Sequence, residues 1–353
     1  MPADPSVSLR RISVAPLMGW THRHFRYLLR FVSPSVRLFT EMIPAAAIVQ
    51  GRLGQELLAY NPCEHPLALQ LAGDSPDLLG SAARVALEYG YDEINLNVGC
   101  PSPRVQRGGF GVCLMAQPRR LADCVRAIRS ANPVPVTIKC RLGFDDHHSE
   151  DFLDDFVATL SEAGCGTFYV HARLAWLRGL SPKANREKPP LDYERVARLK
   201  RKFRHLEIVV NGGIRGIEQA VDLLSRFDGI MIGRQIVEDP LWLQEVDRRL
   251  GDESHEPRSR GTVVAAYLDY LRKTLTTFPA RDHLPTNLFQ PVLRLLRSFP
   301  GAAKMRAEAV QVSHAPLPEL LCWLDRLEKW IEQGSLGRST GLRQELDSGA
   351  WRL

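Results

Sequence analysis

Seven cysteines are spread along the 353 residues, and one of them stands in a context unlike the others. Cys63, Cys113, Cys124, Cys140, Cys165 and Cys322 have apolar surroundings, where a cysteine behaves as a small buried hydrophobe. Cys100 belongs to the run Asn95-Leu96-Asn97-Val98-Gly99-Cys100-Pro101-Ser102-Pro103. One glycine and two prolines force an ordered turn there, which presents the thiol instead of packing it away. A presented thiol can attack a substrate or give it a proton. Attack calls for a histidine–carboxylate system, and none accompanies Cys100, so hydrolytic thiol chemistry is disfavoured. A cysteine thiol ordinarily titrates near about 8.5, so at neutral pH it is mostly protonated and can act as an acid.

Two further segments read as a phosphate cradle: Asn211-Gly212-Gly213-Ile214 and Gly233-Arg234. Glycines let the backbone approach an anion closely, N–H groups at a helix start point at it, and Arg234 adds a charged fork. Lys139, in Thr137-Ile138-Lys139-Cys140-Arg141, is flanked by strand-forming residues and is costly to bury without a partner. It can neutralise the N1–C2=O edge of a reduced flavin, or it can pair with Glu41 or another inward carboxylate. Gln70 and His171 are placed to hydrogen-bond the flavin ring or its ribityl–phosphate chain. A reduced flavin delivers hydride from N5 to the electron-poor end of a conjugated C=C bond, and the other carbon then needs a proton. For the uracil 5,6 double bond, this division sends hydride to C6 and a proton from Cys100 to C5.

These residues must be held together by the fold. Short β-branched or aliphatic runs recur at Ile12–Ala15, Val36–Phe39, Leu67–Leu71, Glu93–Asn97, Val134–Lys139, Thr167–His171, Glu207–Asn211 and Asp228–Ile232. Helical patterns separate several of them, at Pro76–Tyr89, Pro118–Ala131, Ser149–Ala163, Asp192–Phe203 and Gly216–Ser225. Alternating strands and helices predict an α/β fold with a parallel sheet, most economically a (β/α)₈ TIM barrel, with a doubly wound open sheet as the alternative. Pro16, Glu41, Gln70, Asn97–Cys100, Lys139 with Arg141, His171, Asn211 and Arg234 fall at or just past C-terminal strand ends, the face where barrel enzymes build their sites. The alternation stops after Asp239-Pro240, and Gly251–Gly261 reads as a linker. The expected division is a barrel domain over 1–245, an all-helical domain over 255–335 and a loose tail over 336–353.

Composition sets the class. The chain is 44% hydrophobic and 24% charged, which suits a globular protein with a sizeable core. The odd cysteine count and the lack of C-x-x-C spacing disfavour a disulfide framework and a structural metal. No run near the N-terminus resembles a signal peptide, and no stretch of about 18 apolar residues occurs, so a cytoplasmic protein without a membrane segment is expected. The net charge is +6, and the segment 258–306 holds nine basic residues against two acidic ones. The nine are Arg258, Arg260, Arg272, Lys273, Arg281, Arg294, Arg297, Lys304 and Arg306. Such a concentration is the footprint of phosphate-backbone contacts. Lys183-Ala184-Asn185-Arg186-Glu187-Lys188 would form an opposing basic jaw at the barrel mouth. A base stacked inside folded RNA would have to be extruded to reach a buried flavin.

The chain resembles the tRNA-dihydrouridine synthases, most closely the subfamily acting on positions 20 and 20a of the D-loop. The resemblance is carried by Ala15-Pro16-Leu17-Met18-Gly19-Trp20-Thr21, Leu69-Gln70-Leu71, Asn95–Pro101 with Arg104-Val105-Gln106, and Lys139-Cys140-Arg141-Leu142-Gly143. It continues through His171-Ala172-Arg173, Gly179-Leu180-Ser181-Pro182-Lys183-Ala184-Asn185-Arg186, Asn211–Ile214 and Gly233-Arg234. It implies FMN held by Pro16, Leu17, Met18, Gln70, Lys139, His171, Asn211, Gly212, Gly213, Gly233 and Arg234. It also implies NADPH as reductant, Cys100 as proton donor, and Asn97, Lys183 and Arg186 facing the tRNA or its target base. Pro300-Gly301-Ala302-Ala303-Lys304-Met305-Arg306 corresponds to a family segment that usually carries a basic residue where Ala303 stands, and Lys304 and Arg306 would meet the tRNA. No metal is implied, and a monomer is expected. Two other readings explain part of the sequence: a flavin-dependent reductase of a free pyrimidine or enone, and a tRNA-binding protein with an idle barrel.

Overall fold

The computed structural model describes residues 11–34, 36–51, 54–250, 256–277, 286–298, 302–312 and 315–335. Arg281, Phe299-Pro300-Gly301 and the expected tail over 336–353 lie outside the described residues.

Nine strands form one sheet: β1 (Ile12–Val14), β2 (Leu38–Phe39), β3 (Ile43–Pro44), β4 (Leu67–Ala72), β5 (Glu93–Val98), β6 (Val136–Arg141), β7 (Thr167–His171), β8 (Glu207–Asn211) and β9 (Gly229–Ile232). Every pairing is parallel, in the order β1-β9-β8-β7-β6-β5-β4-β2, with the short β3 lying beside the end of β4. The two ends of that order meet. Ser13 bridges to Arg37 in parallel, Val14 N donates to Arg37 O at 2.8 Å, and Arg37 N donates to Ile12 O at 2.9 Å. The sheet is therefore a barrel, and the open-sheet alternative is excluded. Strands buried on both faces read as near-continuous apolar runs, and all six residues of β4 and of β5 are buried.

Two boundaries differ from expectation. β6 starts at Val136 and not Val134, because Pro135 has no N–H to give to the ladder. β3 was hidden from the periodicity by its length of two residues and by Pro44, and it leaves Glu41 between two short strands.

Period-two alternation turns every second side chain into the barrel. Ala15, Phe39, Ala68, Tyr169, Val209 and Met231 form one apolar layer there, with Phe39 and Tyr169 edge to face at 5.1 Å. Glu93, Asn95 and Asn97 of β5 face the same interior as polar groups, and each is satisfied. Thr137 Oγ1 donates to Glu93 Oε1 (2.6 Å), and Asn95 Nδ2 donates to Thr137 Oγ1 (2.8 Å). Gln70 Nε2 donates to Asn95 Oδ1 (2.7 Å), and Asn97 Nδ2 donates to Gln70 Oε1 (3.0 Å). Arg37 pairs with Glu93 at the start of this ladder. Burial pushes the Glu93 carboxyl up, against the opposing pull of the Arg37 guanidinium.

By backbone contacts the chain falls into two compact units, one containing the strands and ending at Arg234, the other made of 24–34 and the chain from Gln235 onward. The sequence division places the barrel's end at residue 245 and counts the segment 24–34 within the barrel. In the second unit, the helix Arg23–Val32 is tied to the helix Arg260–Thr277: Tyr27 stacks on Tyr270 at 3.9 Å, and His24 Nδ1 lies 2.7 Å from Tyr270 Oη. Ser33 Oγ also donates to Asp247 Oδ1 at 3.0 Å. Helices Gln290–Leu295, Ala302–Val312 and Leu317–Ser335 complete this unit around buried Tyr267, Leu271, Phe289, Trp323 and Leu327. Among the described residues, no helix is long and apolar enough to cross a membrane.

Candidate active site

The strand register lines up the polar strand ends. Asn97 lies opposite Lys139, Arg141 opposite His171, and His171 opposite Asn211. Residues from four consecutive strands thus converge on the C-terminal face.

Cys100 follows β5 in a turn that Asn97 holds shut. Asn97 Oδ1 accepts from Cys100 N at 3.0 Å and from Gly99 N at 3.3 Å, while its amide nitrogen is committed to Gln70. Val112 N donates to Cys100 O at 3.1 Å, and Ser102 caps the short helix Pro103–Arg107 through Val105 N. Arg141 clamps the same turn from β6. Its Nε donates to Gly99 O (2.9 Å), and its Nη1 donates to Leu174 O (2.9 Å) and Asn185 O (3.0 Å). Cys100 is partly exposed and lies near enough to Lys139, Arg141 and Arg186 to act on their charges.

The charge balance of this face is strongly positive. Lys139 Nζ donates to Asn211 Oδ1 at 3.2 Å, so its partner is an amide and not the carboxylate of Glu41. Burial first, and then Arg141, lowers its pKa to about 8. Burial, with Arg141 and Lys139 next, holds His171 well below its ordinary value, so near neutrality it is an uncharged hydrogen-bonding group. Burial also lowers Arg141 to about 10. Arg234 pairs with Glu187 at 2.7 Å and donates to Arg186 O at 2.9 Å.

This cluster fits an anion. The Nε groups of Arg173 and Arg186 are buried with no hydrogen-bond partner among the described residues. A buried donor left this way costs about 1–3 kcal/mol, which a phosphate oxygen would relieve. The turn after β8 needs glycine because neighbouring side chains pack where a Cβ would stand. Gly212 (φ +114°) lies against His171, where a Cβ would come 2.6 Å from Cδ2, and Gly213 (φ +70°) lies against Leu191, where a Cβ would come 2.4 Å from Cδ1. Tyr193 Oη donates to Gly212 O and is in turn held by Gln219 Nε2 at 3.2 Å.

The structure brings together Gln70, Asn97, Cys100, Lys139, His171, Asn211, Gly212, Gly213, Arg186 and Arg234 in the strand-end region of one unit. Gly233 precedes Arg234 directly after β9, with Ala15 Cβ the nearest neighbour to a Cβ at 3.6 Å. Pro16, Leu17 and Met18 form the turn after β1, braced by Leu17 N to Thr21 Oγ1 at 2.9 Å, and Met18 is 64% exposed. Lys183 is exposed, ahead of the single turn Ala184–Arg186. Lys304 and Arg306 lie in the second unit on the helix Ala302–Val312. They are two residues apart and so on different faces of it.

Three residues escaped the sequence list of site residues: Arg141, Arg173 and Asn185. The sequence places Arg141 with Lys139 at a strand end without giving it a role, and Arg173, two positions after His171, could have been flagged in the same way. Asn185 is fully buried within a loop, a burial no local pattern announces. Among the described residues, no group of three or more His, Cys, Asp or Glu could hold a metal ion.

Residues 13–327 match the dihydrouridine synthase (Dus) family. A tRNA-dihydrouridine(20/20a) synthase of Vibrio parahaemolyticus is 46% identical over 320 residues, covering 90% of this chain and 96% of the relative. The Escherichia coli protein of the same name is 46% identical over 305 residues, covering 86% and 87%. Among solved structures, a morphinone reductase variant in complex with tetrahydroNAD aligns with a TM-score of 0.48 at 13% identity, over 69% of this chain and 88% of that one. The turn of Cys100, the strand-end lysine and histidine and the two glycine segments lie within the matched span, and the chain belongs to the dihydrouridine synthase family.

Proposed function

We propose that this protein reduces uridine to 5,6-dihydrouridine in tRNA, at positions 20 and 20a, with FMN as its bound cofactor and NADPH as the reductant. The reading rests on one observation above the others: a cysteine held through its turn by Asn97 and Arg141, beside a cationic cluster with buried, unpartnered arginine nitrogens. The relatives' names supply the substrate, and the cluster supplies the chemical fit to a flavin phosphate.

Bound FMN, once reduced by NADPH, supplies the hydride that reaches C6 of the uracil. The chain does the rest. Arg173, Arg234, Gly212, Gly213 and Gly233 hold the phosphate. Lys139 would supply the positive charge that stabilises negative charge developing on the bound flavin. Neutral His171, Gln70 and Asn211 hydrogen-bond without adding net charge, and Pro16, Leu17 and Met18 border the cofactor. Cys100 gives its proton to C5, so the double bond receives one hydride and one proton and the thiolate is later reprotonated from solvent. Arg141, anchored on Gly99 O, and Arg186 stabilise that thiolate. Asn97, Lys183 and Arg186 meet the extruded base and its phosphates, and Lys304 and Arg306 meet the tRNA backbone.

Assaying uridine, UMP and unmodified tRNA side by side tests the proposal. Turnover of tRNA alone, with dihydrouridine mapped to positions 20 and 20a, is expected. Free nucleotide reduced as fast as tRNA would overturn it.

A further inference from the structure

Most large apolar side chains are buried, but Trp176 is 39% exposed, in the loop that follows β7. Its backbone, by contrast, is fixed on both sides. Trp176 N donates to Asn185 Oδ1 at 2.8 Å, and Asn185 Nδ2 donates back to Trp176 O at 2.8 Å. Ala175 N donates to Gly143 O at 3.0 Å, and Leu177 N donates to Asp145 Oδ1 at 2.9 Å, so the loop after β6 grips it as well. A fully buried asparagine thus fixes the main chain from which an exposed indole projects, and also reaches Leu180 O and Ser181 O at 3.4 Å. The same loop is tied to the reacting cysteine, because Arg141 bonds at once to Gly99 O, Leu174 O and Asn185 O.

The surroundings select the ligand. Arg178, Lys183 and Lys188 are exposed on this loop; its Glu187 is paired with Arg234, and the nearby Asp145 carboxylate accepts from Leu177 N. An exposed ring on a fixed backbone, in a loop that carries cations, is the pattern that holds single-stranded nucleic acid: the ring stacks on a base while the cations meet the phosphates. We propose that Trp176 is a stacking platform for an unpaired nucleobase next to the target uridine. This holds the RNA in place once that uridine has been extruded. The inference rests on the proposed tRNA substrate and adds a specificity residue to it.

Steady-state kinetics of Trp176→Ala, Trp176→Leu and Trp176→Phe on unmodified tRNA test it. Base–aromatic stacking is worth about 1–3 kcal/mol, so Trp176→Ala should raise KM for tRNA by about 5- to 150-fold. Trp176→Leu should match the alanine variant, because an aliphatic side chain has no ring face, and Trp176→Phe should recover most of the loss. The rate of flavin reduction by NADPH should stay at the wild-type value in all three. An unchanged KM for tRNA, a leucine variant as good as wild type, or a rise in KM for NADPH in place of tRNA would each overturn the platform. Wild-type protein inactive on tRNA would instead defeat the underlying reading, so the two failures are distinct.

Discussion

Asn97 spends both ends of one amide on the site: its oxygen caps the N–H groups of Gly99 and Cys100, and its nitrogen is fixed on Gln70. The backbone that carries the thiol is therefore set before any substrate arrives. On the proposed chemistry, Cys100→Ala should keep bound FMN and its reduction by NADPH while dihydrouridine formation falls at least about 100-fold, the range of a lost general acid. Single-turnover product formation at the wild-type rate would remove the role.

Lys139 gives a pH test with a definite sign. Burial lowers its pKa from the ordinary lysine value of 10.5 to about 8. Above that pH the side chain is neutral and must regain a proton to meet an anionic cofactor, so FMN affinity should weaken as pH rises through about 8. Without ligand the effect reverses: the unfolded chain holds the proton more tightly between about 8 and 10.5, so the empty protein gains stability as pH rises through that window. Lys139→Met should flatten both profiles, which titration of FMN binding and pH-dependent denaturation would read.

At the scale of elements, the strand ends and the loops that follow them do the work. The glycine pair after β8 has left-handed backbone that an L side chain adopts only at a cost of about 1–2 kcal/mol, before any clash. Gly213→Ala, with Leu191 in the way, should therefore lower FMN occupancy and thermal stability together, as measured by flavin absorbance per protein and by Tm. A variant that keeps full occupancy would take this turn out of the cradle. Much of this was legible in the sequence. Gly212-Gly213 and Gly233-Arg234 stand directly after apolar runs, and a strand-ending lysine is costly unless it has a partner. The partner itself was not legible. Asn211 holds Lys139 across two strands, 72 residues away in sequence, and only the barrel register creates that pair.

At the scale of the whole molecule, the basic segment after the barrel divides into two kinds of charge. Arg272 is bonded to Asp325 and Glu328, Arg260 to Asp239, and Lys273 to Asp269, while Arg258 lies over the ring of Phe31. Arg272, Arg260 and Arg258 tie separate elements of the second unit, whereas Lys273 and Asp269 pair on the exposed surface of one helix. Arg297, Lys304 and Arg306 pair with no carboxylate among the described residues. Binding of tRNA should weaken steeply with salt, and Arg297→Ala should reduce that slope by about one. Arg272→Ala should leave the slope alone and lower the Tm. Equal slopes for wild type and Arg297→Ala would take this side chain out of the RNA surface.

The sequence by itself determined the class of architecture and the chemical alphabet of the site. Hydrophobic period and strand-to-helix alternation are local properties, and so are the turn-forming glycines and prolines around Cys100, Gly212 and Gly233. The tertiary structure decided barrel over open sheet, through closure between Ser13 and Arg37. It also decided which cations are structural and which are free, recruited Arg141, Arg173 and Asn185, and joined residues 24–34 to the C-terminal helices. Each of those outcomes depends on contacts between residues far apart in the chain. Their energies come from burial and register, neither of which a local run of residues encodes.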